Sequence, residues 1–134
     1  MNLEINRDSE RRQNMAKNTA VLKEEFKNGG YRELLKDIYV DDDVLDDQTE
    51  RYIKALENFE ELYGEKEVEI YSAPGRSEVG GNHTDHQYGK VLAASVNLDA
   101  IAVVAKTDDG KIAVKSEGYS PFEVNLESLE VNKE

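Results

Sequence analysis

Hydrophobic periodicity changes once along this chain, at Gly64, and that change restricts the fold to one class. Before Gly64 the apolar residues recur at helical spacing, and after it they fall in short extended runs. Val21, Leu22 and Phe26 predict a helix over 19–27, closed by Gly29 and Gly30, and Leu34, Leu35 and Ile38 predict a second over 31–39. Tyr52, Ala55, Leu56, Phe59, Leu62 and Tyr63 form the apolar stripe of a third, preceded by Asp47. The carboxylates from Asp41 to Asp47 lack the alternating ligands, central glycine and closing glutamate of a calcium loop. They read as a solvated turn supplying N-cap carboxylates.

Beyond Gly64, Val68–Ser72 predicts a strand stopped by Pro74 and Gly75, and Val91–Val96 a second apolar run. Ile101–Ala105 and Ile112–Lys115 are expected to pair as a hairpin across the Asp-Gly turn of 107–110. Phe122–Val124 adds a short strand. A single-stripe helix must dock on something, and the strands are the available partner. Helices first and a mostly antiparallel sheet second define an α+β chain.

With 134 residues the chain is long enough for one hydrophobic core, yet 38% hydrophobic content and a mean hydropathy of -0.73 leave much of it as solvated surface. Residues 1–14 are polar and aperiodic and are expected to be a disordered extension ahead of Met15. Residues 15–66 then form a helical N-terminal extension, and 67–134 the sheet-bearing region. A formal charge of -12, with lysine and arginine scattered, excludes nucleic acid and anionic lipid as partners. There is no cysteine, no apolar run of membrane-spanning length and no secretory core at the N-terminus, so a cytoplasmic location is expected.

Chemistry concentrates in residues 73–92, where Ala73-Pro74-Gly75-Arg76 leads into Gly80-Gly81-Asn82-His83-Thr84-Asp85-His86 and on to Gly89-Lys90-Val91-Leu92. So many glycines and hydrogen-bonding side chains between two strands mark a binding loop. The glycine spacing is neither that of a P-loop nor that of a dinucleotide fingerprint. His83, Asp85 and His86 offer metal-ligand chemistry, but adjacent donors fall short of a site without others from elsewhere, and no metal is expected. A neutral polyol fits better. Asp85 would accept from sugar hydroxyls, Asn82 and His83 can both donate and accept, and Arg76 would hold developing negative charge. The plainer roles, a turn-capping carboxylate for Asp85 and a structural imidazole for His83, stand beside these on the chemistry alone.

Pro74-Gly75-Arg76, Gly81, His83-Thr84-Asp85, Gly89 and Val91-Leu92 resemble the signature of the galactokinases, which belong to the GHMP kinases, small-molecule kinases without a P-loop. The resemblance is dense over 73–92 and weaker to about Lys106. It implies the start of a GHMP-kinase N-terminal domain, of the ribosomal protein S5 domain 2-like fold, and a reaction in which the γ-phosphoryl of MgATP passes to the anomeric 1-hydroxyl of D-galactose. It also implies that Arg76 sits beside the reacting hydroxyl, as transition-state and base-orienting residue, and that Arg76, Asn82, His83 and Asp85 bind the sugar. Such catalysis is chiefly positioning and charge stabilisation.

Four departures bear on specificity: Glu78 where the signature has asparagine, Gly80 for isoleucine, Asn82 for the sugar-binding glutamate and His86 for tyrosine. Asn82 can still bond a hydroxyl but without charge assistance. No Gly-Leu-Ser-Ser-Ser-like run for ATP occurs in these residues, so the chain reads as an N-terminal portion. ATP and Mg2+ belong to the intact enzyme, with no tight cofactor binding expected here. Two other readings are a non-catalytic sugar-binding module or sensor, and a related kinase for another hexose or hexosamine.

Overall fold

The computed structural model describes residues 16–81 and 88–127. The proposed extension at 1–14 and the possible start at Met15 lie outside them. Elements run in the order β1 (Lys17–Asn18), α1 (Thr19–Lys27), α2 (Arg32–Tyr39), a 3-10 turn (Asp42–Val44), α3 (Leu45–Tyr63), β2 (Glu67–Gly80), β3 (Leu92–Val104), β4 (Lys111–Val114) and β5 (Phe122–Asn125). This is α+β, with helices followed by antiparallel strands. The chain divides after Val104 into two compact units.

In the first unit, Asn18 starts α1 by accepting from the Ala20 amide at 2.9 Å, and the helix buries Thr19, Leu22 and Phe26. Val21, expected on the apolar face, is half exposed. In α2 the buried pair is Leu35 and Tyr39, while Leu34 and Ile38 face outward. The reason is spacing: residues four apart share one face, and Tyr39 reaches the core where Leu34 cannot. α3 starts at Leu45, so Asp46 and Asp47 lie in its first turn, where their charge favours the positive end of the helix dipole, and they do not cap it by hydrogen bonding. The capping carboxylate is Asp41, which accepts from the Asp43 amide at 3.0 Å and starts the 3-10 turn.

Leu22, Phe26, Leu35, Tyr39, Leu45, Tyr52, Leu56 and Val68 form the buried apolar core. Phe26 links two helices through the Tyr52 ring, at a centroid distance of 5.3 Å, and also packs on Tyr31 at 4.5 Å. An ion pair between Lys23 and Glu60 adds a tie between α1 and α3. The apolar packing of the hairpin on this core is at its base, where Val68 is buried. β1 pairs with Glu67 and Val68, the Thr19 amide bonds the Lys66 carbonyl at 3.0 Å, and every β2 residue from Tyr71 to Gly80 is exposed.

Two strand expectations are corrected. β2 does not stop at Pro74 and Gly75 but runs through them to Gly80, because a register shift beside Pro74 removes the need for its missing N–H. The segments 91–96 and 101–105 fall largely within a single strand, β3, whose partner is β2. The hairpin expected across 107–110 is therefore not among the strand pairings of the described residues. In the second unit β4 pairs instead with β5, from Lys111↔Asn125 to Val114↔Phe122, and the Leu126 amide closes on the Gly110 carbonyl at 2.8 Å.

Leu56 is 0% exposed and Leu34 is 53% exposed. Leu56→Ala should therefore cost about 2–5 kcal/mol of unfolding free energy. Leu34→Ala should stay within about 0.5 kcal/mol of the parent. Urea denaturation of both variants checks the pair, and equal losses would contradict the placement of the core.

Candidate functional site

The residues singled out by chemistry lie on or beyond one long hairpin, and its ladder determines where they stand. From Glu69↔Val104 to Pro74↔Asp99 the pairing is regular. It then shifts, so that Val96, Asn97 and Leu98 together oppose Gly75, and resumes at Arg76↔Ser95, Ser77↔Ala94 and Glu78↔Ala93. A second shift precedes Gly80↔Leu92. Irregularities of this kind bend a strand and re-aim its side chains, and the first falls immediately before Arg76. Gly75 permits it: a Cβ there would meet the Leu98 carbonyl oxygen at 3.1 Å and Val96 Cγ2 at 3.2 Å.

Gly81 closes the neck of the loop. Its φ is +88°, and a Cβ would lie 2.2 Å from the Lys90 carbonyl oxygen, so no other residue fits without moving the backbone. Gly80, by contrast, has open space around it, and its lack of a side chain serves no close contact. Arg76 is exposed on β2. Asn82, His83 and Asp85, with His86, lie outside the described residues. Of the four candidate residues the structure thus places Arg76, on β2.

The most densely bonded polar group of this region is Asp99, which sequence reasoning passed over. Its side chain is 3% exposed. Arg51 Nη1 of α3 donates to its Oδ1 at 2.6 Å, and Arg51 Nη2 donates to its main-chain carbonyl at 2.8 Å. Tyr39 Oη of α2 donates to Oδ2 at 2.9 Å, and Ser72 Oγ of β2 donates to the same oxygen at 2.5 Å. Tyr52 Oη lies 3.2 Å from Tyr39 Oη and extends the network into the core. Burial acts to raise the Asp99 pKa, but donation from Ser72, Arg51 and Tyr39 outweighs it and holds the carboxyl below its ordinary range. The Tyr39 phenol moves the other way, raised first by burial and then by its bonds to Tyr52 and Asp99. One signal was available in the sequence: Asp99 is the sole charged residue between Leu92 and Val104, and a carboxylate in so apolar a strand needs a partner.

Beside this network a cleft of ≈ 660 Å³ opens between the end of α2, at Ile38 and Val40, and the register break, at Pro74, Val96 and Asn97. Val40 on its rim has φ 66°, a left-handed conformation that a β-branched residue rarely adopts. Among the described residues of the 73–92 segment Pro74 lines this cleft and Arg76 does not.

Helices followed by an antiparallel hairpin are consistent with a GHMP-kinase N-terminal domain. The model of the galactokinase galactose-binding signature matches residues 57–106, a span that includes Arg76, the loop and Asp99. Similar proteins include the galactokinase of Enterococcus faecalis, 38% identical over 77 residues, which are 55% of this chain and 20% of that protein. The galactokinase of Streptomyces coelicolor is 38% identical over 70 residues, 52% of this chain and 18% of its own length. That of Lactococcus lactis subsp. lactis is 33% identical over 78 residues, 55% and 20%. No solved structure gives a significant match. Over this signature the chain is similar to the galactokinases, and it spans about a fifth of the length of these relatives.

The depressed Asp99 pKa has a defined consequence for stability. A carboxyl whose folded pKa lies below its unfolded value stabilises the fold above about pH 4 and loses that contribution as pH falls through the folded value. Asp99→Asn should therefore be clearly less stable than the parent near neutrality, with the gap narrowing below about pH 4. Urea midpoints measured from about pH 7 down to about pH 3 check this, and a gap independent of pH would show that Asp99 is not held as a carboxylate.

Proposed function

We propose that this chain binds D-galactose through Arg76, Asn82, His83 and Asp85, as the sugar-binding part of a galactokinase. The observation that carries the reading is the galactose-binding signature at residues 57–106, which spans all four. The chemistry supports it: an exposed guanidinium on a strand is followed by a loop whose amide, imidazole and carboxylate suit hydroxyls that each donate and accept. Asp85 would accept charge-assisted bonds from the sugar, Asn82 and His83 would orient it, and Arg76 would stabilise negative charge developing on the anomeric oxygen.

In the intact enzyme MgATP would supply the phosphoryl group transferred to the 1-hydroxyl. These 134 residues do not fit that donor, since they contain no Gly-Leu-Ser-Ser-Ser-like run to surround a triphosphate. No nucleotide step is assigned to them, and the chain by itself is expected to bind sugar without turnover. The departure at Asn82 favours a second reading within the family, in which another hexose or a hexosamine is preferred. No partner nucleic acid is proposed for so acidic a chain, and no helix among the described residues is long and apolar enough to cross a membrane.

Addition of D-galactose should shift the backbone amide resonances of Arg76 and Gly81 and raise the melting temperature, because a ligand that binds only the folded state stabilises it. Arg76→Ala should weaken this binding roughly tenfold, equivalent to about 1.4 kcal/mol. Titrations with galactose, glucose and N-acetylgalactosamine rank the sugars. Equal and negligible shifts with all three would refute sugar binding by this chain.

A further inference from the structure

We infer that Arg51 and Asp99 are positioning residues that set the register of the hairpin arm carrying Arg76. The ligand in this inference rests on the galactose reading above; the register does not.

Burial of one face usually specifies strand register, since a slip would move apolar side chains into water. That means is missing here. From Tyr71 to Gly80 every β2 residue is exposed, and in the arm of β3 from Leu92 to Leu98 none is buried and only Val96 is half-buried. The sequence is equally permissive, with Ala73, Ala93, Ala94 and Ala100 presenting small side chains that tolerate several pairings. A competing pairing is easily identified. If the lower ladder simply continued, Arg76 would face Asn97 instead of Ser95, and the three residues opposite Gly75 would be absorbed. The Gly81 neck against Lys90 and Val91 would then be displaced as well.

What opposes that slip is the anchorage of Asp99, the last residue of the lower ladder. Arg51 holds both its carboxylate and its main-chain carbonyl, Tyr39 holds the second carboxylate oxygen, and Ser72 ties that oxygen back across the hairpin. The residue paired with Asp99 is Pro74, which has no N–H to offer the ladder at this point. A guanidinium from the helical layer thus holds the strand where the neighbouring strand cannot. Residues 96–98 are left as a bulge in β3 between two ladders, and Arg76 is delivered as the first residue of the upper one.

The test uses isotope-labelled chain carrying Asp99→Asn, with Glu60→Gln as a control that breaks the Lys23 tie between α1 and α3 without touching the hairpin. In the parent, cross-strand nuclear Overhauser contacts should join Arg76 to Ser95. In Asp99→Asn contacts between Arg76 and Asn97 should appear, and the amides of Arg76 and Ser77 should exchange roughly tenfold faster while Glu69 and Ile70 keep their protection. Glu60→Gln should lower the melting temperature and leave the Arg76 pairing as it was. Should Asp99→Asn not fold, Arg51→Lys decides, because an ammonium keeps the charge but cannot bond the carboxylate and the carbonyl in one fork. Retention of the Arg76–Ser95 contacts in the folded variant, with faster exchange spread evenly along the hairpin, would overturn the inference. A galactose titration separates it from the sugar reading. Weakening by roughly tenfold in Asp99→Asn but not in Glu60→Gln supports positioning of the sugar segment, and equal affinity in both refutes it. If the parent itself shows no response to galactose, the sugar reading fails, and the Arg76 contacts alone decide the register.

Discussion

The ion pair between Arg51 and Asp99 is the constraint on which the first unit depends. Apolar packing organises the helices and stops at the base of the hairpin, with Val68 as its last fully buried apolar member. Above that level the strands are held by their own ladder and by one set of directed bonds from Tyr39 and Arg51. Removing an aspartate from water is costly, and the cost is offset only when each oxygen has donors. Here both oxygens and the adjacent carbonyl have them. The position is therefore demanding as well as stabilising, since few other side chains could accept from a serine, a tyrosine and a guanidinium together.

The same interaction connects packing to chemistry. A hairpin whose far part has no buried side chain would be a poor platform for a sugar site, which needs its donors and acceptors held to a fraction of an ångström. Anchoring the strand at Asp99 lets a long, exposed arm inherit the rigidity of the helical core. The register break then turns Arg76 relative to the lower strand, and the close contacts at Gly75 and Gly81 are the backbone geometry that makes the break and the loop neck possible. The helices can in this way influence where the Arg76 guanidinium stands.

Much of this was legible in the residues themselves. Three helices, their order and the glycines that close the first and third follow from spacing, as do the antiparallel strands and the α+β class. The segment from Pro74 to Leu92 carries the resemblance to the galactokinase signature because its glycines, arginine, histidine and aspartate stand at particular intervals within one short stretch. Local rules failed where two segments compete for one partner. Ile101–Ala105 and Ile112–Lys115 carry a good turn signal between them, yet β3 takes β2 and β4 takes β5. Likewise Pro74 reads as a strand terminator until a register shift excuses its missing donor.

The sequence by itself determined element type and the chemical content of the loop, because periodicity, capping and side-chain identity act within a few residues of each other. Tertiary structure alone decided which strand pairs with which, which face of each helix is buried, and that Asp99, distant in sequence from Tyr39 and Arg51, becomes their common acceptor. Those outcomes rest on contacts between segments far apart along the chain, whose strength depends on burial and geometry that no short window of residues contains.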